Sequence, residues 1–155
     1  MLRRIFEKAV AGFYRHELGD QRTVRAQVGL GWDMSAPTPG LAALLPGMQT
    51  DVILEDQNRR TVIDTNFTGI LTARPYGGES FKSPHLYQMY AYLRSQTGRG
   101  DKRADVAEGV LLHPSLDRHV DESVVIQGHR IRFATVDLAR SAEDVRARLL
   151  QIAQM

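Results

Sequence analysis

The sequence predicts a mixed α/β fold: a helix, three strands, a second helix and a further strand, then a C-terminal hairpin and a last helix. Three observations carry this reading. Apolar residues recur at helical spacing over 2–18, two short apolar strands at 49–55 and 60–66 flank a polar turn, and a helix over 83–96 precedes an apolar run at 106–113. A strand that follows a helix can rejoin the sheet only by a crossover, so parallel and antiparallel pairs must mix.

The first helix rests on Leu2, Ile5, Phe6, Ala9, Val10, Phe13 and Tyr14, which share one stripe, and Gly19-Asp20 ends it. Residues 22–31 alternate loosely (Val24, Ala26, Val28, Leu30) and read as a strand. Pro37, Pro39, Gly40, Pro46 and Gly47 make 33–47 a long connection. Strands 49–55 and 60–66 follow, joined through Asp56 to Arg59. Residues 67–82, with Gly69, Pro75, Gly77 and Gly78, read as a mobile loop of the length that usually carries function. Ser83 is the expected N-cap of the second helix, with Pro84 at its first position and Leu86, Met89, Tyr90 and Leu93 as its core stripe. Residues 120–127 and 130–137 alternate around Gly128-His129, a hairpin signal. Ser141 and Asp144 place a capping-box-like start on a helix over 142–153.

Chain length, 155 residues, suits one domain over 1–155, with its core in about 2–113 and the hairpin and last helix in about 120–153. The sequence holds no cysteine, which excludes disulfides, iron–sulfur clusters and thiolate zinc sites. No apolar run is long enough for a membrane span, so no membrane partner is expected. The opening segment has two arginines like a signal peptide, but Glu7, Lys8, Arg15, His16 and Glu17 interrupt it. Without an export signal the cytoplasm is the expected compartment. A net charge of +2 is only mildly basic. Between 74 and 103, however, Arg74, Lys82, Arg94, Arg99, Lys102 and Arg103 face only Glu79 and Asp101. That stretch is either a solvated surface or a phosphate-facing side.

Asp51 and Asp64 form the most informative pair. A turn centred on Gln57-Asn58 sets 51 opposite 64, with both side chains on one face of the sheet and Asn66 beside residue 64. Two carboxylates side by side among Val52, Ile53, Leu54, Val62 and Ile63 repel each other, and burial adds to the cost. A divalent cation would offset both, and magnesium takes one or two carboxylates. The alternatives are that the aspartates cap strand ends or pair with an arginine, and a slip of one residue would separate them. Gln88 and Tyr92 lie four apart on one helical face and either line a site or border the core. Glu7 borders the apolar face of the first helix and, taken alone, reads as a solvated glutamate. His16, His85, His113, His119 and His129 show no metal-ligand spacing, and His113-Pro114 reads as a satisfied strand end. Trp32 is expected in the core or at an interface.

Together these residues resemble the PD-(D/E)xK, restriction-endonuclease-like nuclease core with its QxxxY extension. The matching set is an acidic residue in the first helix, Asp51, Asp64-Thr65-Asn66, and Gln88-x-x-x-Tyr92. The segments MQTDVILE, TVIDTNFTGIL and SPHLYQMYAYLRSQ are similar, more narrowly, to the C-terminal nuclease domain of McrC-type subunits of modification-dependent restriction systems. The resemblance runs over about 2–150. It implies a restriction-endonuclease-like fold and Mg2+- (or Mn2+-) dependent hydrolysis of DNA without sequence specificity of its own. Asp51, Asp64 and the Thr65 carbonyl would ligate the metal, with Glu7 as an accessory carboxylate. Gln88 and Tyr92 would orient the site or the DNA backbone, and Arg74, Lys82 and Arg94 would contact phosphates. The implied partners are DNA and an McrB-like, GTP-driven AAA+ ring subunit, although the docking region of such subunits is expected to be absent here; a homodimer is left open.

The family's motif lysine should stand at 66, where this sequence has Asn66. Asn donates a hydrogen bond but carries no charge and is no base near neutral pH. Three accounts compete: a weakened or silent nuclease that still binds DNA, which is the favoured one; water activated by the metal alone; or Lys82 reaching in from its loop. The expected activity is therefore a weakened nuclease, and the alternative is a catalytically silent nuclease-fold module for DNA binding or assembly.

Overall fold

The computed structural model describes residues 1–116 and 118–154. Along the chain run α1 (Leu2–Leu18), β1 (Thr23–Leu30), β2 (Met48–Glu55), β3 (Arg60–Thr65), β4 (Leu71–Ala73), β5 (Glu79–Phe81), α2 (Ser83–Ser95), α3 (Lys102–Asp105), β6 (Glu108–Pro114), β7 (Asp121–Ile126), β8 (His129–Val136) and α4 (Ala142–Ala153). Six strands form one sheet in the order β1-β2-β3-β6-β8-β7. β3 pairs β6 and β6 pairs β8 in parallel, and the other neighbours are antiparallel. The mixed sheet with a crossover through α2 is the one expected, and it is compatible with a restriction-endonuclease-like fold.

The sheet is covered on both faces. On one, Phe6, Val10 and Tyr14 of α1 and Leu149 and Ile152 of α4 close over Val52, Leu54, Ile63, Val110 and Leu112. The buried Tyr14 hydroxyl donates to the Leu149 carbonyl at 2.8 Å, so the two helices are tied by a satisfied polar group. On the other face, Met89, Tyr92 and Leu93 of α2 pack on Ile53, Val62, Leu111, Ile131 and Phe133. Here Gly109 sets the spacing. A Cβ at that position would lie 2.6 Å from Met89 Sδ and 3.1 Å from Leu93 Cδ1, so any larger residue would force these side chains of α2 to shift.

Several expectations need correction. The 67–82 stretch is not one open loop: β4 and β5 pair as a small hairpin, and Phe81 stacks on Phe133 with ring centroids 3.8 Å apart. Ser83 is the first residue of α2 and Lys82 occupies the N-cap. Tyr90 is not in the core stripe: it is 37% exposed, and Tyr92 takes the buried position. The last hairpin turns on Gln127-Gly128, both at positive φ (48° and 86°), one residue earlier than expected. Trp32 is partly exposed, and its Nε1 donates to the Pro46 carbonyl at 2.9 Å, pinning the ends of the long β1–β2 connection together. The capping of α4 is as expected, with Ser141 Oγ accepting from the Asp144 amide at 3.1 Å. No helix among the described residues is long and apolar enough to cross a membrane.

Candidate active site

The β2–β3 ribbon pairs Val52 with Ile63 and Ile53 with Val62. The same register carried one step further sets Asp51 opposite Asp64. Alternation puts both on the face that carries Ile53 and Val62 toward α2. Asp51 is 8% exposed and Asp64 is 3% exposed. Asp51 Oδ2 accepts the Thr65 amide at 2.7 Å and Thr65 Oγ1 at 2.9 Å, which fixes its orientation from the neighbouring strand. Asp64 Oδ2 accepts Asn66 Nδ2 at 2.7 Å. Asn66 lies just past β3, held by its own amide on the Leu112 carbonyl at 3.0 Å.

Burial, reinforced by the charge of Asp51, raises the Asp64 carboxyl to about 7, although Asn66 and the charge of Arg3 pull the other way. Among the described residues neither aspartate forms a salt bridge. The protein offsets the acidity of the pair only in part, through hydrogen bonds from Thr65 and Asn66 and the charge of Arg3. The donor set suits a hard divalent cation: two carboxylates, with the Thr65 carbonyl at the same strand end. No group of three or more His, Cys, Asp or Glu side chains among the described residues is arranged to hold a metal, so any cation here would draw its remaining ligands from water and substrate.

The other sequence-derived residues fall at different removes. Gln88 Nε2 donates to Tyr92 Oη at 2.5 Å, and Tyr92 Oη donates to the Gln49 carbonyl at 2.8 Å, two residues before Asp51. Burial first, then the charges of Asp64 and Asp51, raise the Tyr92 hydroxyl to about 12, so it stays protonated as a donor. Glu7 is half-buried on α1 and accepts Gln27 Nε2 at 3.3 Å. Lys82 is half-buried at the start of α2, while Arg74 (beside the β4–β5 hairpin) and Arg94 (in the last turn of α2) are exposed.

Sequence reasoning missed three contributors, Arg3, Gln27 and Gln49, and named Thr65 for its carbonyl alone. Thr65 acts through its amide and hydroxyl on Asp51. Arg3 stands one helical turn before Glu7 and reaches Asp64 through its charge; the i, i+4 spacing from Glu7 was its available signal. Gln27 and Gln49 link Glu7 to Tyr92, and nothing in the sequence marks them. His113 also departs from expectation. It is 1% exposed, neither ring nitrogen completes a hydrogen bond of regular geometry, and its ring lies 5.4 Å from that of His85. Burial, with the charges of His85 and Lys82, lowers it to about 4, so it is neutral near pH 7.

No family model matches the chain. It is similar to the type IV methyl-directed restriction enzyme EcoKMcrBC of Escherichia coli (strain K12), with 29% identity over 148 residues. That match covers 96% of this chain and 41% of the relative, so the chain spans less than half of the relative's length. The similarity agrees with the McrC resemblance carried by the sequence motifs.

Proposed function

We propose that this chain is a metal-dependent endodeoxyribonuclease domain of a modification-dependent restriction system, weakened by Asn66. The observation that carries the reading is the buried, mutually repelling Asp51–Asp64 pair at one end of the β2–β3 ribbon, with no protein cation bonded to either carboxylate. The similarity to a methyl-directed restriction enzyme supports the substrate class.

Asp51, oriented by Thr65, and Asp64 would hold Mg2+ or Mn2+ together with the Thr65 carbonyl. Such a cation supplies a Lewis acid for a DNA phosphate and lowers the pKa of a water. The chain's own part is to exclude bulk water beneath the pair, keep both carboxylates on one face, and present Tyr92 as a neutral donor. Glu7 serves as an accessory carboxylate. Arg74, Lys82 and Arg94 would engage the DNA backbone through charge, without reading bases. Recognition of modified sites would then belong to a ring partner of the McrB kind, and the compartment would be the cytoplasm.

Asn66 favours a second reading. Its amide occupies Asp64 Oδ2 where the family's lysine would bring a charge, and this suits a silent nuclease fold used for DNA binding or assembly. Asn66→Lys separates the two. In the nuclease reading, cleavage of plasmid DNA with Mn2+ rises by roughly 10²–10⁴ over the parent. If neither protein cuts and calorimetry finds no Mn2+ binding, the silent module takes its place.

A further inference from the structure

The β4–β5 hairpin is rooted in the candidate site at both ends. It begins shortly after Asn66, and Lys82 alone joins its last residue, Phe81, to α2. Its base is packed: Ile70 is buried, and Leu71 and Phe81 pair across the ladder and join the core on the α2 side of the sheet. Glu79, in the last pair before the tip, forms an ion pair with Arg118 at 3.4 Å. Arg118 follows β6, so the hairpin stands at the carboxyl end of the parallel strands β3 and β6, where Asp64 and Asn66 also lie.

The tip is a tight turn. The Gly77 amide donates to the Arg74 carbonyl at 3.2 Å, and the Arg74 amide donates to the Gly78 carbonyl at 3.0 Å. Pro75 presets the second position of the turn, and Gly77 and Gly78 supply φ of 98° and 76°. Tyr76 is left at the apex and is 101% exposed, more than any other large apolar or aromatic side chain among the described residues. Folding therefore covers none of this ring, yet the turn holds it in place. Arg74, two residues away, is exposed and forms no ion pair among the described residues. A bare ring beside an uncommitted cation is the combination that holds single-stranded nucleic acid, with the ring stacked on a base and the cation on the backbone. Inside a duplex both faces of each base are covered by its neighbours, so a tyrosine finds a free face only where a base is unpaired. We propose that Tyr76 is a stacking platform for an unpaired DNA base beside the candidate site, with Arg74 on the adjoining phosphate. Every base has a flat face, so this contact holds a strand without reading its sequence.

The inference rests on the DNA reading above, and the experiment separates their failures. Fluorescence anisotropy, with Ca2+ in place of Mg2+, measures binding of labelled oligo(dT) and of a blunt duplex of equal length. The proteins are the parent chain, Tyr76→Ala, Tyr76→Leu, Tyr76→Trp and Arg74→Ala. Both positions are fully in solvent, so all variants should melt with the parent. Tyr76→Ala and Tyr76→Leu should bind oligo(dT) roughly tenfold more weakly, and Tyr76→Trp at least as tightly as the parent. Duplex binding by these three should match the parent. Arg74→Ala should weaken both DNAs and lower the slope of the salt dependence by about one. Parent-like oligo(dT) binding by Tyr76→Ala, Tyr76→Leu or Arg74→Ala, or equal losses on both DNAs in Tyr76→Ala, overturns the stacking platform and leaves the nuclease reading standing. A parent chain that binds neither DNA overturns both.

Discussion

The two ends of the β2–β3 ribbon bury carboxylates and treat them in opposite ways. At one end Glu55, 7% exposed, is surrounded by arginines: Arg25 bonds Oε1, while Arg60 Nη2 reaches Oε2 at 2.9 Å and Arg103 Nη1 at 3.3 Å. Arg60 also grips Asp101 at 2.8 Å, so the cluster continues onto α3. Burial pushes the Glu55 carboxyl up, but the hydrogen bonds from Arg60 and Arg25 outweigh it and hold it below the usual carboxylate range. At the other end Asp64 is more deeply buried, has a second aspartate for a neighbour, and rises to about 7. The chain does not lack arginines. It places them at one end and leaves both carboxylates at the other without an arginine bonded to them, which is the contrast that the proposed metal reading rests on.

That contrast can be broken experimentally. The largest effect should come from Glu55→Gln, which takes a buried anion from Arg25, Arg60 and Arg103 while leaving Asp101 to the last two: urea unfolding should show a loss of about 2 kcal/mol. Asp64→Asn should do the reverse without metal, raising stability near pH 8 by about 1–2 kcal/mol as the repulsion disappears. A loss of stability in Asp64→Asn would end the idea that this pair is offset only in part. A pH series sharpens the point. The Asp64 value is raised on folding, so its stabilising contribution is complete below the unfolded value near 4 and is lost as pH rises through about 7. Metal-free melts should therefore weaken between about pH 4 and about pH 7 in the parent but not in Asp64→Asn, and millimolar Mg2+ should restore the parent at the upper end. Glu55, lowered on folding, contributes above its unfolded value and loses that contribution as pH falls. The smallest effect should be Tyr92→Phe, which removes the bond to the Gln49 carbonyl and costs about 1 kcal/mol in the same urea assay.

Much of this arrangement was legible in the sequence because short-range rules determine it. A turn centred on Gln57-Asn58 sets 51 opposite 64 by counting, and the observed register agrees with that centre rather than with a one-residue slip. Caps and periodicity locate α1, α2 and α4. Elements of three or four residues, β4, β5 and α3, carry no period to detect. The β1–β2 register was hidden for a different reason. The connection between those strands is too long to fix their alignment, so neither Gln27 nor Gln49 could be seen to approach the aspartates. Tyr90 and Tyr92 were exchanged because an aromatic at either place satisfies a loose stripe, and only the packed sheet decides which one turns inward.

The missing side chain at Gly109, whose place Met89 and Leu93 fill, is what lets the second helix sit so low. A methyl group added there would have to push Met89 and Leu93 outward, and the helix that carries them also carries the Gln88–Tyr92 pair. A single carbon on the neighbouring strand would thus be felt first by Met89 and Leu93, on the helix that also carries Gln88 and Tyr92.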